Sequence, residues 1–342
     1  MTTYKDYLRI KGFDVSQWND NQETVYVPDF DALIARGFKF VGIRTSYGIV
    51  KDKDFDAFWG EAKGKLIRVP YHYLDYYSYV QLGISPAEWG RRQARFVWSL
   101  LKDDPGEASK LCKKYKRVIL LLDVENSGCA AAITEDNKST VGVIINAFFL
   151  EFDTLSNSTS GIYTNQGYLF VFGASHKTRP LWFSWYNRKV TIERIREVLA
   201  AWHYTGEFII LQYTSDGDID DDGISDARAL GMESSSLDLN VWLGDPADLE
   251  DATTETKPPA YETPNETPQP VTKTVTIVTP QGLKVREGPG QSYETISALA
   301  CGVSRDLIAE KTDVAGNQWE EVAEGWICSR FGSSVLAKVS IK

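Results

Sequence analysis

The chain has 342 residues, 43% of them hydrophobic and 12% aromatic, which is more than one compact core usually accommodates, so two domains are expected. Its 37 basic and 47 acidic residues leave a net charge of -10, which argues against a polyanion-binding surface and hence against nucleic acid as a partner. The longest apolar runs, VILLL and FIIL, fall far short of the ~20 residues that span a bilayer, so no membrane insertion is expected.

The opening MTTYKDYLRIKGFDVS lacks the charged start, apolar core and small-residue cleavage site of a secretory signal, which predicts a chain that begins in the cytoplasm. From there eight short apolar runs recur: IKGFDV, FVGIRTS, IRVPYHY, VILLLDV, SGIYT, PLWFSWY, FIILQYT and LDLNVW. Several are apolar on both faces, as in a parallel sheet covered by helices. Between them, residues 86–102 (PAEWGRRQARFVWSLLK) place Trp89, Gln93, Phe96, Val97, Leu100 and Leu101 near one face, with Pro86 in the first turn and Ser85 as N-cap. The basic run KKYKR at 113–117 reads as a solvated helix end or turn. Over residues 1–245 this predicts an α/β fold, a TIM-like (β/α) barrel, incomplete in its last third, where the final three strands share one clear helix, TIERIREVLAAW.

Residues 246–273 are rich in Pro, Thr and Glu and nearly empty of large apolar side chains, as in an extended spacer. Residues 274–342 then alternate with period two and are broken by Gly, Pro and Asn, which predicts a small all-β domain. Cys112, Cys129, Cys301 and Cys328 lack CxxC spacing and read as reduced thiols, with a Cys301–Cys328 bond as the alternative inside the tail.

The run VILLLDVENS ends a buried strand in two acids. Residues two apart in a strand share a face, so Asp123 and Glu125 project together, about 6.6 Å apart at ~3.3 Å per residue, while Val124 points away. Two acids this close resist joint ionisation, and the drier one keeps its proton, which is what breaking a glycosidic bond requires. The competing reading is a helix N-terminus, with DVENS supplying the capping oxygens. Asp14 closes the first candidate strand and Asp238 stands beside Asn240 in the last; in a closed barrel those strands are neighbours, so all four acids could meet over one mouth.

Aromatic side chains crowd the other strand ends: Tyr71 and Tyr73 around His72, Tyr163, Trp182, Trp185, Tyr186 and Tyr213. Such faces suit sugar rings; taken singly, each of them, and His72 most of all, reads more readily as core, and it is their concentration at strand ends that favours a sugar site. No Ser or Cys elbow supports a triad hydrolase.

Together GFDVSQW, LLLDVEN, LQYTSDG and LDLNVW resemble the glycoside hydrolase family 25 lysozymes, the Chalaropsis-type muramidases found among phage endolysins and bacterial autolysins, across about residues 10–245. That resemblance implies Glu125 as general acid, Asp123 as its partner, and Asp14 and Asp238 as acids that hold water, the substrate N-acetyl group or developing positive charge. It implies cleavage of the β-1,4 bond between N-acetylmuramic acid and N-acetylglucosamine in peptidoglycan of a Gram-positive wall, with no cofactor required. The chain departs from the family over residues 215–236, where Asp218, Asp220, Asp222, Gly223 and Asp226 follow the first part of a calcium loop but Ala229 replaces its twelfth-position Glu; a structural calcium site at 218–229 and a plain acidic loop are both open. About residues 275–336 resemble a bacterial SH3-like domain, on GLKVREGPGQSYETISAL and WEEVAEGWICSRF, which implies wall-peptide binding with Tyr293, Trp319 and Trp326 as groove candidates. A phage endolysin would accumulate in the host cytoplasm and reach the wall through a membrane lesion made by another protein. A chitinase-like glycosidase and a wall-binding protein without catalysis are the alternatives.

Overall fold

Each of the eight apolar runs folds as a strand, and together they close a cylinder. The computed structural model describes residues 2–19, 28–112, 118–126, 132–245, 273–291, 293–313, 316–322, 325–332 and 334–341. The KKYKR run, Cys129 and residues 246–272 of the spacer lie outside the described residues. In chain order the first unit contains β1 (Lys11–Val15), α1 (Phe30–Ala35), β2 (Phe38–Tyr47), β3 (Val50–Lys51), α2 (Phe55–Ala62), β4 (Ile67–Tyr73), α3 (Ser78–Leu82), α4 (Pro86–Leu101), β5 (Leu121–Asp123), α5 (Lys138–Ser156), β6 (Gly161–Asn165), β7 (Leu181–Ser184), α6 (Ile192–Ala201), β8 (Phe208–Thr214) and β9 (Asp238–Trp242).

The barrel order is β1-β9-β8-β7-β6-β5-β4-β2, and β1 also pairs with β2, which closes the ring. β3 only extends the end of β2 as a short hairpin. From β1 through β8 neighbouring barrel strands run parallel, but β9 is antiparallel to both β8 and β1. This differs from the all-parallel expectation, and the connection explains it. Between β8 and β9 the described chain forms only a 3-10 turn, Arg228–Leu230, so no crossover helix carries it back to the opposite rim. The barrel is closed, and what is incomplete in its last third is the helical layer.

Period-two alternation divides the core into two shells. Phe40, Val69, Tyr71, Leu121, Tyr163, Trp182, Ile210 and Trp242 fill the interior. Their sequence neighbours Val41, Leu122, Ile162, Leu181, Phe183, Leu211 and Val241 face outward and pack with the helices. α4 forms as its pattern predicts: Ser85 Oγ accepts from the Glu88 N–H at 3.2 Å, Pro86 opens the helix, and Trp89, Gln93, Val97 and Leu101 are buried.

The chain separates into two compact units, Met1–Glu255 and Thr256–Lys342. The second is all-β over its described residues: β10 (Lys273–Ile277), β11 (Leu283–Arg286), β12 (Thr295–Leu299), β13 (Ser304–Asp306), β14 (Ala309–Thr312), β15 (Gln318–Val322), β16 (Gly325–Phe331), β17 (Ser334–Val335) and β18 (Ala337–Ile341). One sheet runs β13-β10-β18, and the other β12-β11-β16-β15-β14 with β17 on β16. Val275, Ile277, Val285, Val322 and Ile327 anchor its core. Cys301 and Cys328 are free thiols, so the alternative of a bond between them does not hold. No described helix is long and apolar enough to cross a membrane.

Gly42 shows how tightly the barrel is filled. A Cβ there would sit 2.5 Å from the Trp182 ring and 2.7 Å from the Asp14 Cβ, both held by buried surroundings. Gly42→Ala should therefore destabilise the first unit by about 1–3 kcal/mol, read as a lower midpoint in urea unfolding.

Candidate active site

The antiparallel run of β9 puts its first residue at the rim where the parallel strands end. Asp238 thereby lies directly opposite Asp14 in the β1–β9 register. Asp123 ends β5 facing the same interior, and Glu125 follows it past the strand. The backbone around Glu125 is pinned on both sides. The Val124 N–H donates to Tyr163 O (3.0 Å), Thr164 Oγ1 donates to Val124 O (2.8 Å), and Asn126 Oδ1 accepts from the Ile133 N–H (2.8 Å). Because Asp123 is a buried strand residue, the helix-cap reading of DVENS does not apply.

Asp14, Asp123, Glu125 and Asp238 line one cavity of about 180 Å³ together with Ser16, Trp18, Arg44, Tyr71, Tyr73, Tyr163 and Trp182. Asp14 Oδ2 accepts from Asn240 Nδ2 (2.7 Å) and Gln212 Nε2 (2.8 Å). Asn240 Oδ1 in turn accepts from Trp182 Nε1 (2.8 Å). Gln212 Nε2 also reaches Asp238 Oδ2 (3.2 Å), while Gln212 Oε1 accepts from the hydroxyls of Tyr163 (2.8 Å) and Tyr186 (2.9 Å). Asp123 Oδ1 is buried without a hydrogen-bond partner. Arg44, the one cation on the wall among the described residues, is held by Asp52 (2.7 Å).

Desolvation dominates the charge state of this cluster. Burial lifts Asp14 to about 6, against hydrogen bonds from Asn240, Gln212 and Asp238 that favour its charge. Glu125 is lifted to about 7, by burial first and then by the charge of Asp14. Asp123 stands well above the usual carboxylate range through burial and the neighbouring Glu125, with Arg44 pulling the other way. Asp238 stands well above it as well, from burial, the charges of Asp14 and Glu125, and its hydrogen bond to Asp14. Near neutral pH the site therefore couples an ionised Asp14 to protonated neighbours, with Glu125 poised between its two forms.

The aromatic candidates divide. Tyr71, Tyr73, Tyr163 and Trp182 line the cavity, and Tyr186, 55% exposed, stands at its rim with its hydroxyl on Gln212. Three others are corrections. His72 is fully buried on the outside of β4, between Ser46 Oγ (2.9 Å) and Gln93 Oε1 (3.2 Å), with its ring stacked on Phe148. Burial holds it down at about 4, so it is a neutral core residue. Tyr213 is 2% exposed and stacks on Tyr4 at 4.1 Å, behind the barrel wall. Trp185 packs against the outer core beside Phe183. In the second unit Trp319 is 1% exposed with its N–H on Asp313 (2.9 Å), so it is core, whereas Tyr293 is exposed and Trp326 half-buried.

In the acidic loop, carboxylate oxygens of Asp218, Asp220 and Asp222 come within 4.8 Å of one another. Asp226 does not join them: its Oδ1 pairs with Arg36 (2.5 Å) and its Oδ2 accepts from the Ile219 N–H. The Asp218 oxygens accept from the Asp222 and Gly223 N–H groups, so this carboxylate already serves as a turn-former. A larger groove, about 780 Å³, runs between α4, α5 and residues 170–176, but its one acid, Glu151, is paired with Arg95 (2.7 Å).

Residues that the motifs did not single out are Arg44, Gln212 and the exposed Trp18. Gln212 carried a signal, as a lone amide on the inward parity of an otherwise apolar strand.

No protein-family model matches the chain, and no curated protein does. Among solved structures, the muramidase from Acremonium alcalophilum is similar over 70% of this chain and 97% of its own, at 21% identity and a TM-score of 0.48. The bacterial lysozyme from Streptomyces coelicolor is similar over 70% and 94%, at 18% identity and 0.49. The family GH25 lysozyme from Aspergillus fumigatus is similar over 71% and 97%, at 20% identity and 0.47.

Glu125 is held at about 7 in the fold against an ordinary 4.5, so its share of stability is complete below about pH 4.5 and is lost as pH rises through 7. Glu125→Gln removes that loss. Its melting temperature should exceed that of the unmutated chain by roughly 2–5 °C at pH 8 and match it near pH 4, as read by scanning calorimetry.

Proposed function

We propose that the first unit is a glycoside hydrolase that cleaves peptidoglycan as an N-acetylmuramidase, with Glu125 as its general acid. The observation that carries this reading is the convergence of four carboxyl groups at one barrel mouth, in surroundings that keep one protonated near neutrality beside an ionised partner. Holding its proton up to about pH 7 and lying just past the strand end, Glu125 is placed to protonate the leaving glycosidic oxygen. Asp14 faces the same space as an anion and stabilises positive charge developing on the sugar ring. Asp123, buried beside Glu125, is the partner that positions or polarises that acid, and Asp238 faces the same space as a candidate to hold water or the substrate N-acetyl group. Tyr71, Tyr73 and Tyr163 supply the ring faces and hydroxyls that a sugar packs against.

The bond specificity, between N-acetylmuramic acid and N-acetylglucosamine, rests on the motif resemblance, as does the role in Gram-positive host lysis by a phage endolysin. The second unit is proposed as a wall anchor. An acidic chain gains no general attraction to an anionic wall, so a dedicated module raises the local concentration of the enzyme at its substrate.

Glu125→Gln should lower the rate of turbidity loss of purified walls by at least about 10³-fold, and lysis by the unmutated chain should fall as pH rises through about 7, since the acid form is required. Unchanged lysis by Glu125→Gln would rule out this residue as the acid. Mass spectrometry of the digest should show new reducing ends on muramic acid; ends on glucosamine would overturn the bond assignment. Deleting residues 274–342 should leave cleavage of soluble glycan fragments intact and reduce co-sedimentation with walls; equal sedimentation would remove the anchor role.

A further inference from the structure

Resting on the glycosidase reading above, we infer that Gln212 is the positioning residue of this site: one neutral carboxamide fixes Asp14 and Asp238 with its two N–H groups and is itself fixed by Tyr163 and Tyr186 through its oxygen. A carboxamide offers two donors and two lone pairs, and here all four are used, at 2.8 and 3.2 Å to the carboxyl oxygens and at 2.8 and 2.9 Å from the phenols. The orientation is forced. Turned over, the amide would set its oxygen against the Asp14 carboxylate, which has only lone pairs to offer.

Gln212 is 1% exposed and is not among the residues that line the cavity, so whatever it does for the reaction runs through the acids it holds. Asn240 completes the clamp from β9, donating to the same Asp14 oxygen while Trp182 donates to its own carbonyl. Two N–H donors on one buried carboxylate oxygen favour the charged form and set its direction. The groups around this cluster are Arg44 from β2, Tyr71 and Tyr73 from β4, Asp123 from β5 and Glu125 just beyond it, Tyr163 from β6, Tyr186 beyond β7, and Asp238 from β9. Among them, the charge of Asp14 is what adds to burial in holding the proton on Glu125. The amide therefore acts on the acid at second hand. A carboxylate in its place would add a fifth acid, and an apolar side chain would leave two carboxyls and two phenols without their partner.

The test is Gln212→Met, similar in length and without donors, followed by carboxyl 13C NMR titration and by the pH dependence of lysis. The expected results are a rise of about one pH unit in the Asp14 titration, a fall of about 10- to 100-fold in kcat with KM little changed, and an alkaline limb displaced to lower pH. A folded Gln212→Met, matched in circular dichroism and melting temperature, whose Asp14 titration and alkaline limb stay in place would overturn the inference. Should Gln212→Met fail to fold, Gln212→Asn carries the same test, because an amide one methylene shorter cannot span both carboxyls and both phenols; an unmoved titration there overturns the inference equally. The titration needs no substrate, so it decides the role of Gln212 even if the unmutated chain lyses no wall, an outcome that would instead sink the proposed reaction.

Discussion

Four carboxyl groups can share the mouth of a barrel only if they are not all charged. Removed from water, each anion loses hydration that its neighbours cannot replace, and like charges a few ångströms apart add repulsion. The structure meets this constraint by distributing protons unequally. The backing amides of Gln212 and Asn240 select Asp14 as the anion, and the protonated forms fall to Asp238, Asp123 and, near neutrality, Glu125. Under the proposed function that inequality is what the reaction uses, since a set of acids with equal surroundings would have neither a reliable donor nor a reliable counter-charge.

The barrel exists to hold that inequality. Its interior is filled by large rings from facing strands, with Gly42 leaving room for Trp182 beside Asp14. Trp182 both occupies this floor and orients Asn240, which couples packing to the charge state of Asp14.

Much of this was legible in the sequence. Every barrel strand follows from an apolar run, and the two acids of the D-x-E run do face one cavity, although β5 ends at Asp123 and Glu125 reaches it from just past the strand. Strand alternation exposes the misassignments. With Tyr71 and Tyr73 inward, His72 must point out; with Gln212 inward, so must Tyr213; and Trp185 shares the outward parity of Phe183. Residue type suggested a sugar-facing ring in all three, and strand parity decided otherwise. The direction of β9 was not legible, since an apolar run has no polarity along the chain and only the helix-free connection before it reveals the turn-back. The role of Gln212 was hidden for a different reason. Its inward parity marks it as a lone amide in its strand, but what it holds depends on four segments that only the fold brings to it.

The reversed final strand and the thin cover on that side of the barrel have a consequence for how the molecule is born. β1 has one neighbour that is nearly adjacent in sequence and another, β9, that is synthesised more than two hundred residues later, while Tyr4 lies flat on Tyr213 where a helix would otherwise shield β8. The seam of the cylinder is thus made from strands near the two ends of the unit, and closing it requires contacts between segments far apart in sequence. On the ribosome, a chain lacking its last strand has Asp14 but neither Asp238 nor Asn240, and so carries the parts of the acid cluster without its assembly. Ring closure and the maturation of the site are the same event.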